Sequence, residues 1–455
     1  MVHSFEHGGR YLAIDAYSGA VHLLDKPAYD AIGLLARGGT REEALAVLAG
    51  QIGFDDAAEL LAEIDGLAAD GQLFTPEPEI EPRTNAGEIK ALCLHAAHDC
   101  DLRCAYCFAA TGSFHGGRSL MPAEVGRAAL EFLMERSGSR NVLEVDFFGG
   151  EPLMNFDMVK QTVRYGRELE KRFNKRIRFT LTTNGMGLTQ EVAAFLNEEM
   201  YNVVVSLDGR PEVHDALRKT VDGQGSHARI LGNALRFTAS RGKKSHYIRG
   251  TFTNRNLDFA RDVLYLAEQG FEAVSVEPAV LDDRSPFALR REHIAGILAE
   301  YDKLADALLE LERKGNAPVF FHFNVEFGGG PCVYKRLSGC GAGSEYVAIT
   351  PQGDIYPCHQ FVGETRFLLG NVMTRQLDDE KRKPFHRDAA MELKKCRDCW
   401  AKMWCGGGCA ANAWHKNGDI DKPYDLECEM ERKRLECAAW LYAERSEGKP
   451  VDSSQ

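Results

Sequence analysis

Between residues 90 and 315 the chain alternates short apolar strands with amphipathic segments, and this alternation limits its fold more than any other feature. Six strand candidates stand out: KALCLHAA (90–97), VLEVDFF (142–148), IRFTLTT (177–183), NVVVSL (202–207), YIRGTFT (247–253) and AVSVEPAV (273–280). Between them lie segments such as PAEVGRAALEFLMERS, where Pro122 suits the first turn of a helix. Strands separated by helices pair in parallel through right-handed crossovers. Six units are too few for a closed eight-fold barrel. The expected fold class is therefore α/β, a partial (β/α)6 TIM-like barrel over residues 90–315.

Polar, motif-like residues sit just past the ends of these strands. Cys100 follows the first, GGEP (149–152) the second, TTNG (182–185) the third and SLDG (206–209) the fourth. In α/β barrels the C-terminal strand ends carry the active site. Four such motifs on one rim argue for a site there.

Two further regions flank this core. Residues 1–76 form a small unit: RYLAID and AVHLLD joined by AYSG read as a β-hairpin, followed by helices at roughly 27–37, 40–51 and 55–70. Thr40 with Glu43 three residues later is a capping box. Residues 77–89 are a linker, stiffened at its start by the prolines of TPEPEIEPR. Residues 316–445 lose helical periodicity and gain glycine and cysteine.

The cysteines speak to chemistry. HDCDLRCAYCF places Cys100, Cys104 and Cys107 at C-x3-C-x2-C, with no fourth thiol nearby. A closed structural zinc site wants four protein ligands. Three thiolates leave one coordination position open, for something other than protein. The alternative is a zinc knuckle completed from a distance. Later in the chain come Cys332, Cys340, Cys358, Cys396, Cys399, Cys405, Cys409 and Cys428, with structural zinc ribbons as the plain alternative. No signal peptide or apolar span of about 18 residues is evident, so a cytoplasmic, reducing setting is expected. There, thirteen clustered cysteines point to metal ligation. The 55 basic and 67 acidic residues, net −12, argue against nucleic acid as the partner, and no membrane partner is expected.

C-x3-C-x2-C with Tyr106 before its last cysteine resembles the signature of the radical S-adenosylmethionine enzymes. The resemblance implies a [4Fe-4S] cluster on Cys100, Cys104 and Cys107, the catalytic centre, whose free iron chelates S-adenosylmethionine. It implies cofactor contacts from Gly149, Gly150 and Glu151 of GGEP, the last accepting from the methionyl ammonium. Tyr106, Asn184, Ser206, Asp208 and Arg218 are further cofactor-binding candidates. Ordinary strand-end capping is the alternative for Asn184, Ser206 and Asp208, and a solvated surface arginine for Arg218.

The C-terminal pattern, with its C-x2-C-x5-C-x3-C run from Cys396 to Cys409, resembles the SPASM extension of radical peptide-modifying enzymes. Two more [4Fe-4S] clusters are implied, three in all. Cys340, Cys358 and Cys409 would hold one, and Cys396, Cys399, Cys405 and Cys428 the other. Cys332 either closes the first of these or leaves it an open iron. Cys93 and Cys437 read as buried core thiols. The first 76 residues resemble the winged-helix-like modules that recognise leader peptides by strand addition, a structural cap being the alternative.

SGAVHLLD, GPCVYKRLSGCGAGSEY (330–346) and GDIYPCHQFVG (353–363) extend the resemblance to the maturases of small cysteine-rich SCIFF (ranthipeptide) precursors. The implied enzyme is a radical oxidoreductase that forms thioether crosslinks. A cellular reductant supplies one electron, S-adenosylmethionine is cleaved, and the 5′-deoxyadenosyl radical takes hydrogen from an acceptor residue such as threonine. A cysteine sulfur of the peptide then bonds to that carbon, and an auxiliary cluster takes up the surplus electron. Alternatives are formylglycine formation on a sulfatase, crosslinking to carboxylate residues, or a non-catalytic zinc-bound peptide adaptor.

Overall fold

The computed structural model describes residues 1–80, 87–327, 337 and 339–446. The chain opens with strands β1 (Val2–His7), β2 (Arg10–Asp15) and β3 (Val21–Leu24), an antiparallel sheet in that order. β2 and β3 are the expected hairpin, with Tyr11 opposite Leu24. β1 was not expected. It turns into β2 through Gly8 and Gly9, both at positive φ, as a tight two-residue hairpin requires. Helices α1 (Lys26–Ala36), α2 (Arg41–Ile52) and α3 (Phe54–Ala69) follow. The Thr40 hydroxyl accepts from Glu43 N at 3.2 Å, and the Glu43 carboxylate accepts from Thr40 N at 2.8 Å, so the capping box is formed. Ala13, Ile32, Leu48, Leu61 and Ile64 make this unit's own core. Residues 81–86 of the linker fall outside the described residues.

The remaining strands, in chain order, are β4 (Ala91–His98), β5 (Leu102–Cys104), β6 (Ser119–Leu120), β7 (Val142–Gly149), β8 (Arg176–Thr183), β9 (Asn202–Ser206), β10 (Arg218–Thr220), β11 (Ser245–Phe252), β12 (Ala273–Pro278), β13 (Val319–Phe320), β14 (Tyr346–Ile349), β15 (Asp354–Tyr356), β16 (Gly370–Asn371) and β17 (Gln376–Leu377). The six expected strands are β4, β7, β8, β9, β11 and β12. They lie side by side in chain order, each parallel to its neighbours. Helices α4 (Ala123–Arg136), α5 (Phe156–Phe173), α6 (Gln190–Glu199), α7 (Pro211–Leu217), α8 (His227–Arg241), α9 (Phe259–Glu268) and α10 (Ile294–Arg313) alternate with them. Pro122 stands immediately before α4 as its cap residue, one position earlier than expected.

The sheet does not close. β13 continues it past β12, and β14 pairs with the other edge of β4, from Tyr346 opposite Ala91 to Ile349 opposite Leu94. The region after 316 therefore extends the central sheet at both ends. One sheet face buries Leu143, Val145, Phe147, Phe179, Leu181, Val203 and Val274 in the main core. Period-two alternation puts Asp146, Thr180, Arg249, Thr251 and Glu277 on the other face. The last helix, Asp425–Ser446, packs against α10, with Arg434 Nε donating to the Tyr301 hydroxyl at 2.9 Å. No helix among the described residues is long and apolar enough to cross a membrane.

Candidate functional site

The three-cysteine loop leaves the C-terminal end of β4. Its short strand β5 pairs antiparallel with β10, which puts Cys104 opposite Arg218 and Leu102 opposite Thr220. Arg218 is buried, so the reading of a solvated surface arginine falls. Leu102 N donates to the Cys100 sulfur at 3.4 Å, and Cys107 N to the Cys104 carbonyl at 3.2 Å. All three cysteines line one cavity of about 250 Å³. Gly149, Gly150, Glu151, Asn184, Ser206, Tyr106 and Arg218 line it as well.

The glycine pair is there because the backbones are too close for side chains. Gly149 has φ +115°, and a Cβ on it would lie 2.4 Å from the Ala97 carbonyl oxygen. A Cβ on Gly150 would lie 2.1 Å from the Asp99 carbonyl oxygen. The close approach lets Gly150 N donate to the Ala97 carbonyl at 2.8 Å and Glu151 N to the Asp99 carbonyl at 2.9 Å. The end of β7 is thus stitched to the loop that carries Cys100.

Glu151 is buried, and its carboxylate accepts from Asn184 N and the Thr183 hydroxyl, both at 2.7 Å, and from Leu153 N at 3.0 Å. Burial still pushes its pKa up to about 7. A cation beside it would fix the charged form. Asn184 Nδ2 donates to Asp101 at 2.6 Å and to the Cys100 sulfur at 3.6 Å, while its Oδ1 caps Met186 N at 2.9 Å. Strand-end capping and contact with the cysteine loop are therefore combined in one side chain.

Asp208 is buried and does not line the cavity. It accepts from the Tyr106 hydroxyl at 2.5 Å and from Thr251 N at 3.1 Å. Arg218 donates to the same hydroxyl at 2.9 Å and stands 3.7 Å from Asp208. Asp208 thus supports Tyr106 and Arg218 from behind.

Burial pushes the Cys100 thiol up to about 12, with Glu151 adding to the shift. It pushes Cys104 up to about 11 against the opposing pull of Arg218. Thiolates are the ligand form, and for Cys100 and Cys104 a bound cationic centre would favour it against burial. Three convergent thiols on an open cavity fit a centre that keeps one position free.

The C-terminal cysteines converge in two sets. Cys396, Cys399, Cys405 and Cys428 line one small cavity of about 30 Å³. Cys340 and Cys409 line another, which Cys405 and Cys428 also border, with Tyr424, Glu427 and Glu431. Cys358 lies close by: burial pushes it up to about 12 and Cys340 raises it further, while Cys409, also raised by burial, feels both Cys358 and Cys340. Cys332 lies outside the described residues. Cys93 and Cys437 are fully buried.

Several cavity residues were not foreseen. Arg249, Glu277, His359, Gln360 and Asn412 all line the cavity of the three-cysteine loop. The last three come from the C-terminal region, so the two cysteine-bearing parts of the chain share one chamber. The His359 ring lies 5.0 Å from that of Phe148 and 5.5 Å from that of Phe108, which follows Cys107. His359 and Gln360 directly follow a candidate ligand, Cys358, which was signal enough to flag them.

Two family profiles match the chain. That of the radical SAM superfamily covers residues 96–248, and that of the SPASM iron–sulfur cluster-binding domain covers residues 340–400. The mycofactocin maturase MftC of Mycolicibacterium smegmatis is 27% identical over 375 residues, spanning 78% of this chain and 86% of that protein. A cysteine-type anaerobic sulfatase-maturating enzyme of Clostridium novyi is 25% identical over 338 residues, spanning 70% and 86%. Among solved structures, native anSMEcpe with bound AdoMet and Cp18Cys peptide aligns with a TM-score of 0.63 at 21% identity, covering 79% of this chain and 99% of that one. Streptococcus suis SuiB bound to the precursor peptide SuiA aligns at 0.54 and 18%, covering 94% and 98%. At these identities the structural likeness speaks for the fold.

Proposed function

We propose that this protein, a radical SAM enzyme with a SPASM domain, is a peptide maturase that joins a cysteine sulfur to a carbon of another residue within a small cysteine-rich peptide. The observation that carries this reading is the shared chamber, whose wall runs from Cys100, Cys104 and Cys107 to His359, Gln360 and Asn412. A segment lying there would touch both cysteine-bearing regions at once. The names of the relatives, maturases of peptides or proteins, support the substrate class.

In this reading Cys100, Cys104 and Cys107 hold a [4Fe-4S] cluster with its fourth iron open to S-adenosylmethionine. When bound, the pair would supply one-electron cleavage of the cofactor and removal of one hydrogen atom from the peptide. Glu151 accepts the cofactor's ammonium, and its burial makes that charge pairing strong. Gly149 and Gly150 keep the end of β7 close over the loop. Arg218, held by Tyr106 and Asp208, is placed to take the carboxylate. Phe108, Phe148 and His359 form an aromatic stretch of the chamber wall. Cys340, Cys358 and Cys409, and separately Cys396, Cys399, Cys405 and Cys428, would hold two auxiliary clusters, whose chemistry would be to accept the electron left over when the carbon radical joins the peptide thiolate. Residues 1–76 take up the leader of the precursor at an edge of the β1–β3 sheet, and a cellular reductant supplies electrons.

Incubation with the cysteine-rich precursor, S-adenosylmethionine and dithionite tests the reading. Mass loss of two hydrogens per link, with the linked cysteine resisting alkylation, is the expected result. Cofactor cleavage without any linked peptide would refute thioether formation. Metal content supplies the second check: about twelve iron per chain, falling by about four in the Cys100/Cys104/Cys107→Ala variant. Stoichiometric zinc in place of iron would return the cysteines to a structural role.

A further inference from the structure

The inner sheet face carries an ion pair for which the proposed chemistry has no use. Arg249 on β11 and Glu277 on β12 meet side on, Nε to Oε1 at 3.0 Å and Nη2 to Oε2 at 2.5 Å. Ser275 Oγ donates to Glu277 Oε1 at 3.3 Å and lies 3.3 Å from His322 Nε2, which steadies the carboxylate from below. An ion pair that only braces strands is normally closed off. This one keeps 38% of the Arg249 side chain and 32% of the Glu277 side chain open, and both residues line the cavity. Arg218, in the same wall, is 8% open. Among the described residues Arg249 Nη1 has no hydrogen-bond partner.

The wall beside the pair is apolar: Pro278, Ala279, Val280 and Leu281 continue from β12 along the cavity. It is anchored from the C-terminal region, because the buried Lys416 ammonium donates to the Leu281 carbonyl and to Asp283, both at 2.5 Å. The far end of this wall is therefore tied to the C-terminal region.

Charge decides what fits. The Arg249–Glu277 pair sums to zero, and Arg218 is matched by Asp208. Arg249 Nη1 offers a donor and Glu277 acceptor capacity within the same stretch of wall. A peptide amide, a carboxamide or a hydroxyl can satisfy both. A carboxylate would approach an Arg249 charge that Glu277 already neutralises, and would add a like charge to the same wall. An ammonium meets the reverse conflict.

We propose that Arg249 and Glu277 are the specificity pair of the chamber: they seat an uncharged, hydrogen-bonding acceptor residue of the peptide and reject an acidic one. This rests on the peptide-maturase reading, and deepens it by separating thioether formation on neutral residues from crosslinking to carboxylate residues.

The test uses the full-length, cluster-loaded protein and three fluorescein-labelled copies of the precursor. They carry Thr, Asn or Asp at the position that mass spectrometry shows to be modified. Affinity is read by anisotropy without reductant, and linked product by mass spectrometry with it. Wild type should favour Thr and Asn over Asp by at least tenfold in both. Glu277→Gln leaves the Arg249 charge unmatched and should shift that ratio at least tenfold towards Asp. The Arg249→Met/Glu277→Leu double variant removes both charges and should weaken all three peptides several-fold. An unchanged Thr-to-Asp ratio in Glu277→Gln, with the wild-type melting temperature, would overturn the proposal. So would unchanged affinities in the double variant, which serves if the single variant fails to fold. Wild type that modifies no peptide at all would instead bring down the maturase reading beneath it.

Discussion

Replacing Gly150 by alanine is the sharpest challenge to the site's construction. The added Cβ would stand 2.1 Å from the Asp99 carbonyl oxygen, 2.7 Å from its carbon and 3.0 Å from the Gly112 Cα. All three are backbone atoms, so no side chain can swing aside. Ordinary contact begins at 3.4 Å, so β7 and the cysteine loop must part by more than about 1 Å. Such a shift stretches the bonds from Gly150 N to Ala97 (2.8 Å) and from Glu151 N to Asp99 (2.9 Å) beyond useful length. Two backbone hydrogen bonds at about 1 kcal/mol each, with about 1–3 kcal/mol for overpacking, give roughly 3–5 kcal/mol. Glu151 moves with the strand and loses its register with Asn184. The expected outcome is a lowered melting temperature, loss of the loop's share of the iron, and S-adenosylmethionine affinity reduced at least tenfold in equilibrium dialysis. Gly117→Ala is the control: it lies in the same loop, and its Cβ would meet nothing within 4 Å. If Gly150→Ala matches wild type in iron, affinity and melting temperature, the close-approach reasoning is refuted.

Three further outcomes follow from particular contacts. Burial raises Glu151 to about 7, so S-adenosylmethionine affinity should weaken as pH falls through that value, and Glu151→Gln should lose both the affinity and its pH dependence in titration calorimetry. His7 is buried with Nδ1 3.0 Å from Asp302 and Nε2 3.0 Å from Asp306; burial alone would lower its pKa, but the two carboxylates raise it. Its stabilising charge is thus fully present below the ordinary histidine value and is lost as pH rises through the higher folded one; His7→Gln should cost about 1–2 kcal/mol at pH 6, since Asp306 is mostly exposed, with less loss at pH 9 by thermal melts. Arg382, almost fully buried, donates to the Gly343, Ser344 and Gly87 carbonyls at 3.1, 2.7 and 3.0 Å; Arg382→Lys should cost about 2–4 kcal/mol in denaturant unfolding.

The strand positions were readable because each apolar run is bounded by polar rim residues. The run's length and position carry the information, whichever partners it finds. The candidate ligands were readable because cysteine is rare and its spacing is specific. Arg249 and Glu277 lay inside two strands that were correctly placed. Their alternation with Ile248, Gly250 and Val276 already put them on the opposite face from the core, and that signal went unused. What the sequence does not carry is long-range registry. Nothing in YVAI announces that β14 will pair with β4, or that residues after 350 will close the chamber. Asp208 shows a subtler limit: its position at a strand end was legible, but whether its carboxylate looks inward or braces Tyr106 depends on β10, a three-residue strand made only by its pairing with β5.

The parallel pairing of β14 with β4 also has a meaning for how the molecule is made. β4, which leads directly into the three-cysteine loop, is synthesised well before β14, and although β6 covers Ala97 and His98, the Ala91–Leu94 stretch of that edge stays bare until Ile349 has been made. At about 5–20 residues per second that interval lasts on the order of ten seconds or more. Through it, an apolar strand edge and three unligated thiols sit together in an unfinished sheet. If the loop takes the cluster proposed for it, delivery of iron and sulfide would have to wait for the end of translation or be escorted, and a chain truncated before β14 should aggregate through this edge.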